Sequence, residues 1–134
     1  MSSPARAQTF PTRIAPWLTV GDASQAVAYY RDAFSAGELY RLEGEDGKLE
    51  VAQLSVLGAD FWIQADPDAS PRSGGAGAIR MVLSVEDPDA VFQRAVQAGA
   101  TVIYPVTDAH GWRTGRVIDP FGHDWEIGRQ LARE

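Results

Sequence analysis

A carboxylate in the middle of a strand needs water, a cation or a metal beside it, because burying it alone is prohibitive. Glu126 is such a residue. It stands in the stretch Asp119-Pro120-Phe121-Gly122-His123-Asp124-Trp125-Glu126-Ile127. Pro at the second place and Gly at the fourth of Asp119-Pro120-Phe121-Gly122 suit a type I turn. Val117-Ile118 before the turn and Trp125-Glu126-Ile127 after it read as the arms of a hairpin. Alternation along the second arm sends Asp124 and Glu126 to one face and His123, Trp125 and Ile127 to the other. The apolar face needs a core, and the acidic face needs a partner.

Few other side chains offer chemistry. His110 and His123 are the only histidines. His123 lies opposite Glu126 and reads as a turn-closing or packing residue. His110, with Gly111 and Trp112 in the segment Asp108–Arg113 (read as a loop), is the one candidate general base. Arg113 and Arg116 read as partners for nearby carboxylates. The sequence has no cysteine, so thiol nucleophiles, thiolate zinc sites and disulfides are excluded. No nucleophile-plus-base arrangement, phosphate-cradling glycine loop or basic patch is present, and Gly74-Gly75 opens no helix. The formal net charge of −6 disfavours nucleic acid and anionic membrane surfaces as partners. Trp17 and Trp62 share a strand face with Thr19 and Gln64, and large flat rings suit stacking against planar or cationic ligands.

The elements that must position these residues fall into two similar halves. Ile14–Val20 reads as a strand with Leu18 and Val20 on one face and Ala15, Trp17 and Thr19 on the other. Asp22 caps a helix with Gln25 three residues on. Ala26, Tyr29, Tyr30, Ala33 and Phe34 form its apolar stripe, and Gly37 is expected to end it. Strands Leu39–Leu42 and Leu49–Val56 flank Asp46-Gly47, a hairpin signal, and Phe61–Gln64 follows. Asp66–Gly77 is rich in Pro, Ser and Gly and reads as a linker. The pattern then restarts with strand Ile79–Val85, the cap and first-turn proline Asp87-Pro88, and a stripe of Val91, Phe92, Ala95 and Val96 stopped by Gly99. Strands Thr101–Val106, Gly115–Ile118 and His123–Gly128 complete it. Leu18, Val20 and Asp22 stand 65 residues before Leu83, Val85 and Asp87. The expected fold is α+β: two tandem βαβββ modules, residues 12–65 and 78–130, with curled mixed sheets, joined by linker 66–77. Residues 1–11 read as a flexible tail, and 12–134 as one domain. Met1 to Thr12 contains no apolar run, so neither a signal peptide nor a membrane span is expected, and the expected location is the cytoplasm.

The chain resembles the vicinal oxygen chelate superfamily of glyoxalase I, extradiol dioxygenases, fosfomycin-resistance enzymes and bleomycin-binding proteins. Within it, the small bacterial glyoxalase/bleomycin-resistance-like proteins of the PhnB type are the nearest likeness. The residues that carry it are Pro16-Trp17-Leu18-Thr19-Val20 with Asp22, Ala26, Tyr29-Tyr30 and Phe34, and Gly111 to Ile127 with Arg113, Arg116 and Asp119-Pro120-Phe121-Gly122-His123. The resemblance implies a homodimer with two pockets. It also implies that the four positions holding a divalent metal in metalloenzyme members fall here on Ala15, Trp62, Arg80 and Glu126. Only Glu126 is a usual ligand type. The resemblance further places Arg80 beside Glu126 on the pocket floor, as a cation where relatives hold a metal.

The leading expectation is therefore a metal-free binding protein of the bleomycin-resistance type. It would sequester an aromatic or basic organic molecule through Trp17, Thr19, Trp62, Gln64, Arg80, Glu126 and Trp112, without a cofactor. The rival is a metal-dependent lyase, isomerase or dioxygenase of the same superfamily that uses Glu126 as a ligand. A third reading is a non-catalytic interaction module.

Overall fold

The computed structural model describes residues 12–69 and 79–132. The expected tail and most of the linker lie outside them. Two four-stranded mixed sheets, each with one helix, run in the order β1(Trp17–Val20), α1(Ala23–Phe34), β2(Gly37–Glu43), β3(Leu49–Val56), β4(Ala59–Ala65), then β5(Met81–Ser84), α2(Pro88–Ala98), β6(Thr101–Ala109), β7(Trp112–Ile118), β8(Asp124–Gln130). Sheet orders are β1-β4-β3-β2 and β5-β8-β7-β6. In each, the first strand pairs in parallel with the last, and the remaining pairs are antiparallel. The sequence repeat is thus a repeat of topology, α+β, and neither sheet closes on itself.

The caps form as the residue types dictate. The Asp22 carboxylate accepts from the Gln25 amide at 3.0 Å and the Asp87 carboxylate from the Ala90 amide at 3.2 Å. Ser35, not Gly37, ends α1: it takes the left-handed conformation at φ 58° and its N–H closes on the Arg31 carbonyl, which frees Gly37 to open β2. The first strands are shorter than expected, at four residues each: β1 begins at Trp17, with the Pro16 carbonyl still accepting the Trp62 N–H, and β5 begins at Met81. The largest correction concerns Asp108–Arg113. These residues extend a β6–β7 hairpin in which Ala109 pairs with Trp112, and only His110 and Gly111 form the turn, both at positive φ (55° and 82°).

One core serves both modules. Every residue of the α1 stripe is buried, whereas in α2 the buried residues are Pro88, Phe92 and Ala95, with Val91 and Val96 at the margin. The Phe34 and Trp125 rings approach to 4.7 Å and the Phe61 and Trp125 rings to 5.6 Å, across the module boundary. The Tyr29 hydroxyl donates to the Ala95 carbonyl of α2 at 3.1 Å. At the centre lies Asp119, 3% exposed. One carboxylate oxygen accepts the Tyr30 hydroxyl (2.5 Å) and the Trp125 indole N–H (2.8 Å). The other accepts the Phe121 and His123 amides at 2.9 and 3.0 Å, closing the turn. Burial and the adjacent carboxylate raise the Tyr30 phenol pKa well above its usual 10.0.

Candidate functional site

With the helices on one side, each sheet turns its other face outward, and strand register shows what lies on it. On the first sheet, Tyr40 pairs with Gln53, Gln53 with Trp62 and Trp62 with Trp17, so these four form one row. Leu42, Val51, Gln64 and Thr19 form the next by the same pairings. Both rows are uncharged. The Trp17 and Trp62 rings lie at 5.8 Å and 22°, and Tyr40 meets Trp62 at 5.9 Å and 62°. The two indoles stack on each other, and the phenol meets Trp62 edge-on. Trp17 is 52% exposed. Its indole N–H donates to Gln64 Oε1 at 2.9 Å.

The equivalent row of the second sheet is Val82, Glu126, Arg116 and Tyr104. Tyrosine recurs at the outer place; charge replaces the aromatics. Arg80 Nε lies 3.0 Å from Glu126 Oε1, with side chains 45% and 21% exposed, so the pair is a rim ion pair rather than a buried floor. Arg116 binds the buried Asp124 carboxylate at 2.6 Å, and its guanidinium lies 5.7 Å from the Tyr104 ring centroid. Those hydrogen bonds to Asp124 raise the Arg116 pKa further. Asp124, read with Glu126 as one acidic face, is thus satisfied structurally. Arg113 holds Asp89 at 2.7 Å and Asp108 at 2.9 Å, which keeps the Asp89 carboxyl below its ordinary range.

The structure brings Trp17, Thr19, Trp62 and Gln64 together, and separately Arg80 and Glu126. Among the described residues, no hydrogen bond, ion pair or ring contact joins the two groups. A cleft of about 690 Å³ lies between the modules, with Ala15, Pro16, Asp60, Arg80, Val82 and Trp125 among its lining. Trp112 is not on an overhanging loop: it opens β7 and pairs with Gln130. It lies four residues along β7 from Arg116, the partner of Glu126, or roughly 13 Å. His110, at the turn beyond it, faces solvent, and among the described residues it has no hydrogen-bond partner that would make it a base. His123 closes its turn against β1, its Nε2 lying 2.9 Å from the Thr19 carbonyl oxygen. The sequence did not signal Asp119 as more than a turn residue.

A divalent ion does not fit the four positions matched to metalloenzyme ligands. Ala15 has no donor atom, the Trp62 ring is engaged with Trp17, and Arg80 already neutralises Glu126. Among the described residues no three His, Cys, Asp or Glu side chains cluster to hold an ion.

The sequence profile of the Glyoxalase/Bleomycin resistance protein/Dioxygenase superfamily matches residues 11–127. The chain belongs to that superfamily. A protein of Mycobacterium bovis is 41% identical to it over 126 residues, covering 88% of this chain and 83% of that one. The crystal structure of TioX from Micromonospora sp. ML1 superposes with a TM-score of 0.72 at 27% identity, covering 90% of this chain and 100% of that one. A PhnB protein from Bacillus cereus superposes with a TM-score of 0.70 over 90% of this chain and 100% of that one; at 17% identity it speaks for the fold alone. No helix among the described residues is long and apolar enough to cross a membrane.

Proposed function

We propose that this superfamily member is a metal-independent binding protein that sequesters a small aromatic organic molecule, acting as a homodimer. The observation that carries this reading is the Trp17–Trp62–Tyr40 corner, an exposed aromatic cluster at a place where stacking contributes and where, among the described residues, the neighbours in register are Thr19, Gln53 and Gln64. Thr19 and Gln64 supply polar anchors beside it. The Arg80–Glu126 pair, with Trp112 farther along the sheet, supplies a charged second surface. Sequestration needs only such a preformed apolar surface with a few polar groups. The dimer is supported by the open sheets and by Ile14, Leu57, Ile79 and Val82, all strongly exposed apolar residues on or beside the central cleft.

Three measurements test this. Elemental analysis of protein purified without chelators should find far less than one divalent ion per chain; a full equivalent would restore the lyase or dioxygenase reading. A thermal-shift screen of aromatic compounds should yield hits, since a ligand at a hundred times its Kd adds about 2.7 kcal/mol. Trp17→Ala should weaken them, and a hit indifferent to Trp17 binds elsewhere. Light scattering that gives a monomer at micromolar concentration removes the dimer.

A further inference from the structure

We infer that Gln64 decides which aromatic molecules the corner accepts: flat, neutral ring systems carrying an exocyclic hydrogen-bond acceptor such as a ring carbonyl. The inference rests on the binding function proposed above and narrows it.

The orientation of the Gln64 amide is fixed by chemistry. An indole nitrogen only donates, so the Gln64 atom 2.9 Å from Trp17 Nε1 has to be the carbonyl oxygen. The amide nitrogen is left facing outward with two donors, and among the described residues it has no acceptor. Trp17 thus works twice, as stacking surface and as the group that aims its neighbour. A ring stacked on the exposed Trp17 indole meets the Gln64 donors at its edge, because Gln64 accepts from that indole's N–H and pairs with Thr19, two residues along β1 on the same face. The ligand must therefore bring an acceptor. A ring whose edge is an N–H meets donor against donor.

Charge narrows the class further. The two rows around the corner, Tyr40, Gln53, Trp62 and Trp17 with Leu42, Val51, Gln64 and Thr19, hold no ionisable carboxylate or amine. Asp60, the nearest acid on this face of β4, is already bound to Arg13 at 3.4 Å. On these two rows a cationic ligand would find ring faces but no counter-ion, and its N–H groups would meet the Gln64 donors; the carboxylates that share a recess with Gln64 are those of Asp22, Asp46 and Glu50.

Equilibrium dialysis with three near-isosteric probes tests this: fluorenone, with a ring carbonyl; fluorene, with neither group; and carbazole, with a ring N–H. Wild-type protein should bind fluorenone roughly tenfold more tightly than carbazole, the scale of one net hydrogen bond. Gln64→Glu keeps an acceptor for Trp17 Nε1 and so keeps the corner, but offers the ligand acceptors only, and should reverse the order. Gln64→Ala should bring all three probes together. If fluorenone and carbazole bind equally to wild type, or if Gln64→Glu leaves their ratio unchanged, the role given to Gln64 is wrong while the aromatic site stands. If no probe binds, or binding is indifferent to Trp17→Ala, the aromatic site fails and this inference fails with it.

Discussion

Replacing Asp119 with alanine should be among the most damaging single changes in the chain. The substitution strands two donors that have no access to water: the hydroxyl of Tyr30, fully buried, and the indole N–H of Trp125, 3% exposed. Each orphaned buried donor costs about 1–3 kcal/mol. The Phe121 and His123 amides lose their acceptor too, but both residues are only partly buried and water replaces part of the loss. The sum is about 4 kcal/mol, against a total stability of about 5–15 kcal/mol for a domain. In a chain of this length that lowers Tm by roughly 12–16 °C. Urea unfolding followed by tryptophan fluorescence gives the free energy directly, with Trp125 as an internal reporter. A double-mutant cycle sharpens the test. Tyr30→Phe removes one of the two stranded donors, so in that background Asp119→Ala should cost about 1–3 kcal/mol less than in wild type. A loss below about 1 kcal/mol, or effects additive to within about 0.5 kcal/mol, would show that the carboxylate does not hold the centre together.

Three further outcomes follow from features already described. Tyr30 stays protonated in the native state because burial and the Asp119 charge raise its pKa, while the unfolded chain ionises it near pH 10. Its contribution to stability is therefore complete below about pH 10 and lost as pH rises beyond it, so Tm should fall above pH 10, with a shallower slope for Tyr30→Phe. Leu57 is 98% exposed and sits at φ 52° in the two-residue turn Leu57-Gly58. Leu57→Asn should add about 1 kcal/mol by relieving the left-handed conformation; no gain in urea midpoint would mean the leucine is covered in solution. A Cβ on Gly128 would run into the Thr114 side chain and approach the Arg113 carbonyl at 2.6 Å, so Gly128→Ala should cost about 1–3 kcal/mol. Thr114→Ser, which removes the clashing methyl, should recover only part of that, because the backbone carbonyl stays.

Much of this architecture can be read from local pattern. The α1 stripe, the Asp22 and Asp87 caps and the 65-residue repeat are short-range signals, and short-range physics settles them. Parity alone also puts Trp17, Thr19, Trp62 and Gln64 on one face. Parity does not put Trp17 beside Trp62; the parallel register of β1 on β4 does, and that depends on how the whole module closes. Ser35 defeats the glycine rule because the left-handed position falls two residues before the glycine. The His110-Gly111 turn is missed because histidine is not among the residues that advertise such turns. Asp119 shows the limit most clearly. Its sequence context reports a turn, while its buried hydrogen-bond partner Tyr30 is 89 residues away.

The aromatic cluster of Tyr30, Phe34, Phe61 and Trp125 draws its members from both sides of the chain's midpoint. Neither half owns a complete interior. A molecule cleaved between residues 69 and 79 would consequently behave as two fragments that reassemble, each acting as the other's folding template, and neither would persist in isolation.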